Sequence, residues 1–270
     1  MDLGLVDARV LVVGGSRGMG RAAAETFARE GARVAVLARA SEALDDAAST
    51  LSSLGSPESV PLVADLTSLS EVDSAIDRLG ERWEALEVLV NAAGPVDVGI
   101  GTFDRLDDQE WRDTFDVGVF SAVRTVRRSL PLLRRGSFAR IVNVSAHSTK
   151  RQSPELVAYT AAKAALSSLT KNLSQWLAPE GILANTVSPG SFLSEGMQGY
   201  LRTLAPERGV DSTSLTDAMR VIAEDFGHPA YLGRAGSPAE IGPVIAFLGS
   251  PLNSYMTGAD VNVDGGSDFT

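Results

Sequence analysis

There is no cysteine in these 270 residues, so neither a disulfide nor a thiolate metal site can form. Histidine is nearly absent: His147 and His228 are too few and too isolated to build a metal centre, no carboxylate cluster suggests one, and no metal is expected. Lysine occurs three times (Lys150, Lys163, Lys171) against 21 arginines. No stretch approaches the ~18 apolar residues that cross a membrane, and the first residues lack the basic and then apolar pattern of a secretion signal. Positive charge is the scarcer sign, with a net charge of −10. A nucleic-acid partner is not expected, because phosphate neutralisation needs clustered Lys and Arg. A membrane partner is not expected either, and a cytoplasmic location is the default expectation.

What is present suits one α/β domain spanning 1–270, with 44% hydrophobic and 21% charged residues. Short β-branched runs at 9–13, 33–37, 60–63, 86–90, 139–144, 182–187 and 260–263 alternate with amphipathic stretches at 20–30, 69–82, 108–133, 157–177 and 238–248. Apolar strands separated by helices predict a doubly wound parallel sheet of about seven strands, with helices on both faces. The segment at about 191–231 breaks the alternation, with helical pieces, no strand, and Phe192, Leu193, Met197, Tyr200, Leu201, Leu204, Met219, Ile222 and Phe226 among polar residues. A segment of that length and apolar content reads as a substrate lid.

Gly14-Gly15-Ser16-Arg17-Gly18-Met19-Gly20 follows the first strand and opens a helix. Glycines there let the backbone turn tightly and approach a pyrophosphate seated on the helix N-terminus. The second strand ends Leu37-Ala38-Arg39 with no carboxylate to hold a ribose hydroxyl, so Arg17 and Arg39 are expected to grip a 2′-phosphate, and the cofactor is expected to be NADP(H). Asp65 and Leu66, after the third strand, are expected at the adenine, with a plain turn cap as the other reading of Asp65. Asn91-Ala92-Ala93-Gly94 follows the fourth strand, where Asn91, Ala92 and Gly94 meet the cofactor or Asn91 ties strands together. Pro189 and Gly190 end the sixth strand and bring backbone to the nicotinamide, with Phe192 beside it and Ser194 available to its carboxamide.

Tyr159-Thr160-Ala161-Ala162-Lys163 puts a phenol and an ammonium one helical turn apart on one face. A nearby cation lowers a phenol's pKa, which would fit Tyr159 for general acid–base work with Lys163 as its partner.

From the 14–20 turn through Asn91–Gly94, Tyr159/Lys163 and Pro189-Gly190 to Val263-Asp264-Gly265-Gly266, nearly the whole chain resembles the short-chain dehydrogenase/reductase family. The resemblance implies a Rossmann fold, a nicotinamide cofactor, hydride transfer at a carbonyl or carbinol carbon, Lys163 on the ribose hydroxyls, and a homotetramer or dimer. Val13 stands where the family has threonine, a mild departure. Two departures are larger. Ala146 occupies the position of the family's catalytic serine, 13 residues before Tyr159, and Gly118 that of its helical asparagine, 13 before Pro131. Ser148 has the strand parity to replace the serine, Ser145 has the opposite parity, and His147 offers a donor and an acceptor. Gly118 would leave a hole, beside which Thr114 or Ser121 holds a relay water. The leading expectation is NADPH-dependent reduction of a fairly large apolar ketone, or oxidation of the matching alcohol. The alternatives are imine or alkene reduction, dehydration or cyclisation on the same fold, or a silent NADPH-binding regulatory subunit.

Overall fold

The structure, a computed structural model, describes residues 2–95, 98–227 and 229–267. Seven strands, β1 Arg9–Val13, β2 Arg33–Ala38, β3 Ser59–Val63, β4 Val88–Asn91, β5 Ala139–Val144, β6 Ile182–Pro189 and β7 Asp260–Val263, form one sheet in the order β3-β2-β1-β4-β5-β6-β7. Every pairing is parallel. The helices are α1 Gly18–Arg29, α2 Glu42–Ser53, α3 Leu69–Arg82, α4 Asp108–Phe115, α5 Ser121–Leu133, α6 Val157–Leu177, α7 Glu195–Arg208, α8 Leu215–Phe226 and α9 Pro238–Leu248. None of them is long and apolar enough to cross a membrane.

The alternation inside β1 shows why both faces must be covered. Val10 and Val12 enter a core with Phe27 of α1 and Ile241 and Ile245 of α9. Leu11 and Val13 enter the opposite core with Leu79 of α3 and Leu130 of α5. β4 and β5 are buried along their whole length, which is why they read as continuous apolar runs rather than as alternating ones.

Two expectations change. The fourth strand begins at Val88 rather than at 86, because Glu87 turns in to pair with Arg9 at 2.7 Å instead of continuing the apolar run. The helix expected over 108–133 is interrupted by a π-helical turn, Asp116–Phe120. Helix α2 was not expected at all.

The segment after β6 is helical, as its composition predicts. α7 and α8 build a third core from Leu193, Leu201, Val210, Ala218, Met219 and Val221. The two ends of this insert are pinned together. Leu193 N–H donates to Gly236 O at 2.8 Å, and Gly236 N–H to Ser191 O at 2.9 Å.

Candidate active site

The sheet order reverses between β1 and β4, where open α/β sheets form a ligand crevice beyond the strands' carboxyl ends. The glycine turn lies there. Gly14 has φ +76°, its amide donates to Leu37 O at 2.8 Å, and a Cβ would sit 2.7 Å from Ala93 N. Helix α1 then starts with Arg17 as N-cap, with no side-chain cap bond and no acidic residue in its first turn. Its first amides are therefore left to an outside acceptor, and a phosphate group fits that donor set. Ser16 and Gly18 are half-buried at the turn, whereas the Met19 side chain packs against the first core.

Tyr159 and Lys163 stand on α6, with the Lys163 Nζ 6.0 Å from the Tyr159 ring centroid. Lys163 is buried and donates to Val144 O at 2.8 Å, which fixes the ammonium to the end of β5. Gly94 closes the other side: a Cβ there would lie 3.1 Å from Nζ, so the loop after β4 can approach only without a side chain. Burial pushes the lysine down to about 8 and the phenol up to about 12. The lowering of Tyr159 expected from its neighbour is thus reversed, because loss of solvent outweighs a cation held against a carbonyl.

The exit from β5 carries the largest departure from the family pattern. Ala146 is buried where the serine would stand. Ser145 faces away, as its parity predicts: it donates to Lys163 O at 3.0 Å and accepts from Ser167 at 2.9 Å. His147 Nδ1 lies 3.1 Å from Pro189 O. A carbonyl only accepts, so Nδ1 carries the proton. The last backbone rung between β5 and β6 is Ser145 N–H to Val187 O at 2.8 Å, and the imidazole adds the next rung with a side chain. Lys150 bonds Asn262 Oδ1 at 2.9 Å and Arg151 bonds Ser267 O at 2.8 Å, fastening the same segment to β7 and beyond. Within this held segment Ser148 is only 3% exposed, and its hydroxyl has no hydrogen-bond partner among the described residues. Thr160, beside Tyr159, is in the same condition.

Asn91 behaves differently. Its Nδ2 donates to Asn143 Oδ1 at 2.8 Å, its Oδ1 accepts from Thr125 at 2.7 Å, and Asn143 donates on to Thr170 at 2.8 Å. The side chain expected at the cofactor is engaged in this chain across α5, β4, β5 and α6, which is the strand-tying alternative. Ala92 N–H is likewise engaged with Val13 O at 2.9 Å.

Gly118 leaves no hole. It lies in the π turn, where a Cβ would sit 3.0 Å from Ala162 Cβ and 3.6 Å from Pro95, so α6 has closed over the site. Thr114 and Ser121 bond back to carbonyls of their own helix at 2.7 and 2.5 Å.

Other expected cofactor contacts have local partners. Asp65 Oδ1 accepts from Thr67 N–H at 2.9 Å and Thr67 Oγ1 at 2.8 Å, a turn cap. Those bonds, and then the charges of Arg39 and Arg124, hold its carboxyl below the usual range. Leu66 is half-buried, with its carbonyl bonded by Arg124 at 2.9 Å. Ser194 caps α7 by accepting Met197 N–H at 3.3 Å, which leaves its own O–H as a donor. Phe192 is 8% exposed and its side chain packs on Gly236 in the first core, which leaves its backbone for the cofactor contact expected of it. Gly190 N–H bonds Val263 O at 2.9 Å and continues the β6–β7 ladder past Pro189. Arg39 is exposed at the end of β2, and Arg17 lies 3.7 Å from Glu195 with both side chains more than half exposed. His228 lies outside the described residues.

The family model described as Enoyl-(Acyl carrier protein) reductase matches residues 13–268. The chain is also 32% identical, over 95% of its length and 94% of the relative's, to the rhamnolipids biosynthesis 3-oxoacyl-[acyl-carrier-protein] reductase of Pseudomonas aeruginosa. It belongs to the short-chain dehydrogenase/reductase family. Among solved short-chain dehydrogenase/reductase structures, the L-sorbose reductase of Gluconobacter frateurii, complexed with NADPH and L-sorbose, superposes with a TM-score of 0.92, covering 100% of both chains at 27% identity. The 2,3-dihydro-2,3-dihydroxybenzoate dehydrogenase of Escherichia coli is 34% identical over 96% of both. The chain is accordingly an oxidoreductase of this family, with the serine and asparagine positions altered.

Proposed function

We propose that this protein reduces a ketone with NADPH and that Tyr159 donates the proton. The observation that carries this reading is the Tyr159 phenol one turn from the buried Lys163 ammonium, which is fixed to the end of β5 at the crevice end of the sheet. Burial keeps the phenol protonated at neutral pH, so it has a proton to give to the substrate oxygen. When bound, the nicotinamide supplies the hydride. The amides of the 14–20 turn take the pyrophosphate. Arg17 and Arg39 take the 2′-phosphate, Arg17 leaving an exposed ion pair that contributes little. Lys163 has three N–H donors, of which Val144 O takes one, and it turns toward the ribose. Ser148 stands in for the absent serine and donates to the substrate oxygen; its unpartnered buried hydroxyl supports that role, since such a group in a native fold calls for a partner.

The apolar insert residues do not support a large apolar substrate. Leu201 and Met219 face the insert's own core, and Phe192 the body's. The full-length likeness to a reductase of L-sorbose supports a hydroxylated ketone instead. The α7–α8 insert covers the crevice as a lid. The unpaired outer edge of β7, with exposed Leu252 and Tyr255 nearby, supports a homo-oligomer joined on that side.

The test is NADPH consumption with ketohexoses, bulky apolar ketones and 3-oxoacyl thioesters. Turnover of the ketohexoses carries the reading. Preference for the apolar ketones or thioesters returns the substrate to the apolar class. Binding of NADPH with no turnover of any ketone would sink the reductase assignment.

A further inference from the structure

Arg124 of α5 joins two parts of the crevice that share no ligand atom. Its Nη1 donates to Leu66 O at 2.9 Å, its Nη2 to Asp116 Oδ1 at 2.5 Å, and its Cζ lies 5.9 Å from the Phe120 ring centroid. Asp116 and Phe120 are the first and last residues of the π turn, whose Gly118 packs on Ala162 between Tyr159 and Lys163. Leu66 follows Asp65, the carboxylate already closed into a turn by Thr67. The Arg124 and Asp116 side chains are 18% and 29% exposed, so their charge-assisted bond is shielded from much of the screening that weakens surface pairs. A planar guanidinium holds its donors in a fixed fork that suits a carbonyl, a carboxylate and a ring face together, and a lysine ammonium lacks that fork.

We infer that Arg124 and Asp116 form a positioning clamp that locks the adenine side of the cofactor crevice to the π turn supporting the Tyr159 helix. The inference rests on the NADPH reading above and on the capped turn at Asp65 and Leu66 lying beside the adenine, as the resemblance implies. The clamp fixes the Leu66 carbonyl, and with it the turn that presents Asp65. At its other end it holds the turn that lets α6 sit close. A single side chain thereby couples cofactor affinity to the placement of the acid–base pair.

The test compares R124Q, R124K, D116N and the double variant D116N/R124Q, measuring NADPH affinity without substrate by fluorescence titration, then kcat and the melting temperature. R124Q is expected to weaken NADPH binding about tenfold, the scale of one charge-assisted hydrogen bond, and to lower kcat by a similar factor. D116N should match it, the double variant should be no worse than either single one, and R124K should fall between R124Q and the parent. A lower melting temperature with unchanged NADPH affinity, or losses that add in the double variant, would overturn the clamp. If R124Q does not fold, R124K and D116N decide by the same affinity criterion. A parent protein that binds NADPH without turning over defeats the reductase reading, while the affinity series still judges the clamp. A parent that binds no NADPH overturns both.

Discussion

The ends of β4 and β5 lie side by side in the sheet, yet they are finished in opposite ways. At β4, Asn91 is locked by Thr125 and Asn143 in a closed chain of bonds. At β5, the segment is fastened from outside by His147, Lys150 and Arg151, while Ser148 keeps an unmet hydroxyl in its interior. The first end is satisfied by the protein itself; at the second, the Ser148 hydroxyl has no partner among the described residues. A buried hydroxyl without a partner calls for an explanation, and under the proposed function the substrate oxygen supplies one for Ser148.

Four experiments break or sharpen this contrast. Tyr159→Phe removes the proposed acid and should lower kcat on the order of a thousandfold while NADPH titration stays unchanged. Ser148→Ala should lower kcat about a hundredfold, the scale of one lost donor at a developing oxyanion, without lowering the urea midpoint because no protein bond is lost. Ala146→Ser in that background should recover most of the rate. Asn91→Ala should behave in the opposite sense, with stability down by about 2 kcal/mol from partners left unpaired, read by urea unfolding, and turnover per folded molecule changed far less.

A further effect concerns pH. The native Lys163 pKa of about 8 lies below its ordinary 10.5, so between those values the unfolded chain binds a proton that the native state has released. Stability therefore rises with pH across that window, no more steeply than one proton allows. Tyr159, raised from 10.0 to about 12, has the opposite sign and lowers stability above pH 10. Urea midpoints measured from pH 8 to 10 should show the rise, and Lys163→Met should flatten it.

Much of this was readable from residue types alone. β1, β5 and β7 fall where apolar β-branched runs put them, and Tyr159 and Lys163 stand one turn apart on α6 as their spacing requires. Helix α2 was hidden because Ser, Thr and Asp dominate it; only Leu44, Ala47 and Leu51, spaced three and four apart, betray its buried face. The Asn91 chain had a signal in Asn143, a polar residue inside a buried strand. The π turn had none, since its extra residue appears only when α6 closes on Gly118. Nor could spacing report that burial would overcome the Lys163 charge at Tyr159, because local dielectric is a property of the packed state. Arg124 looked like any surface arginine until Leu66 and Asp116 were brought to it.

The pinned insert has an evolutionary consequence. Because residues 191 and 193 meet 236 through two backbone bonds, the chain leaves and re-enters the body at nearly one point. The α7–α8 core draws on no strand of the sheet. Such a unit can be lengthened, shortened or exchanged whole without disturbing strand register, because the closure entropy of a longer loop grows only with the logarithm of its length. If the insert is the substrate lid proposed above, selection for a new substrate can rewrite its α7–α8 core while the sheet beneath keeps its sequence pattern, with Phe192 retained because it packs in the first core.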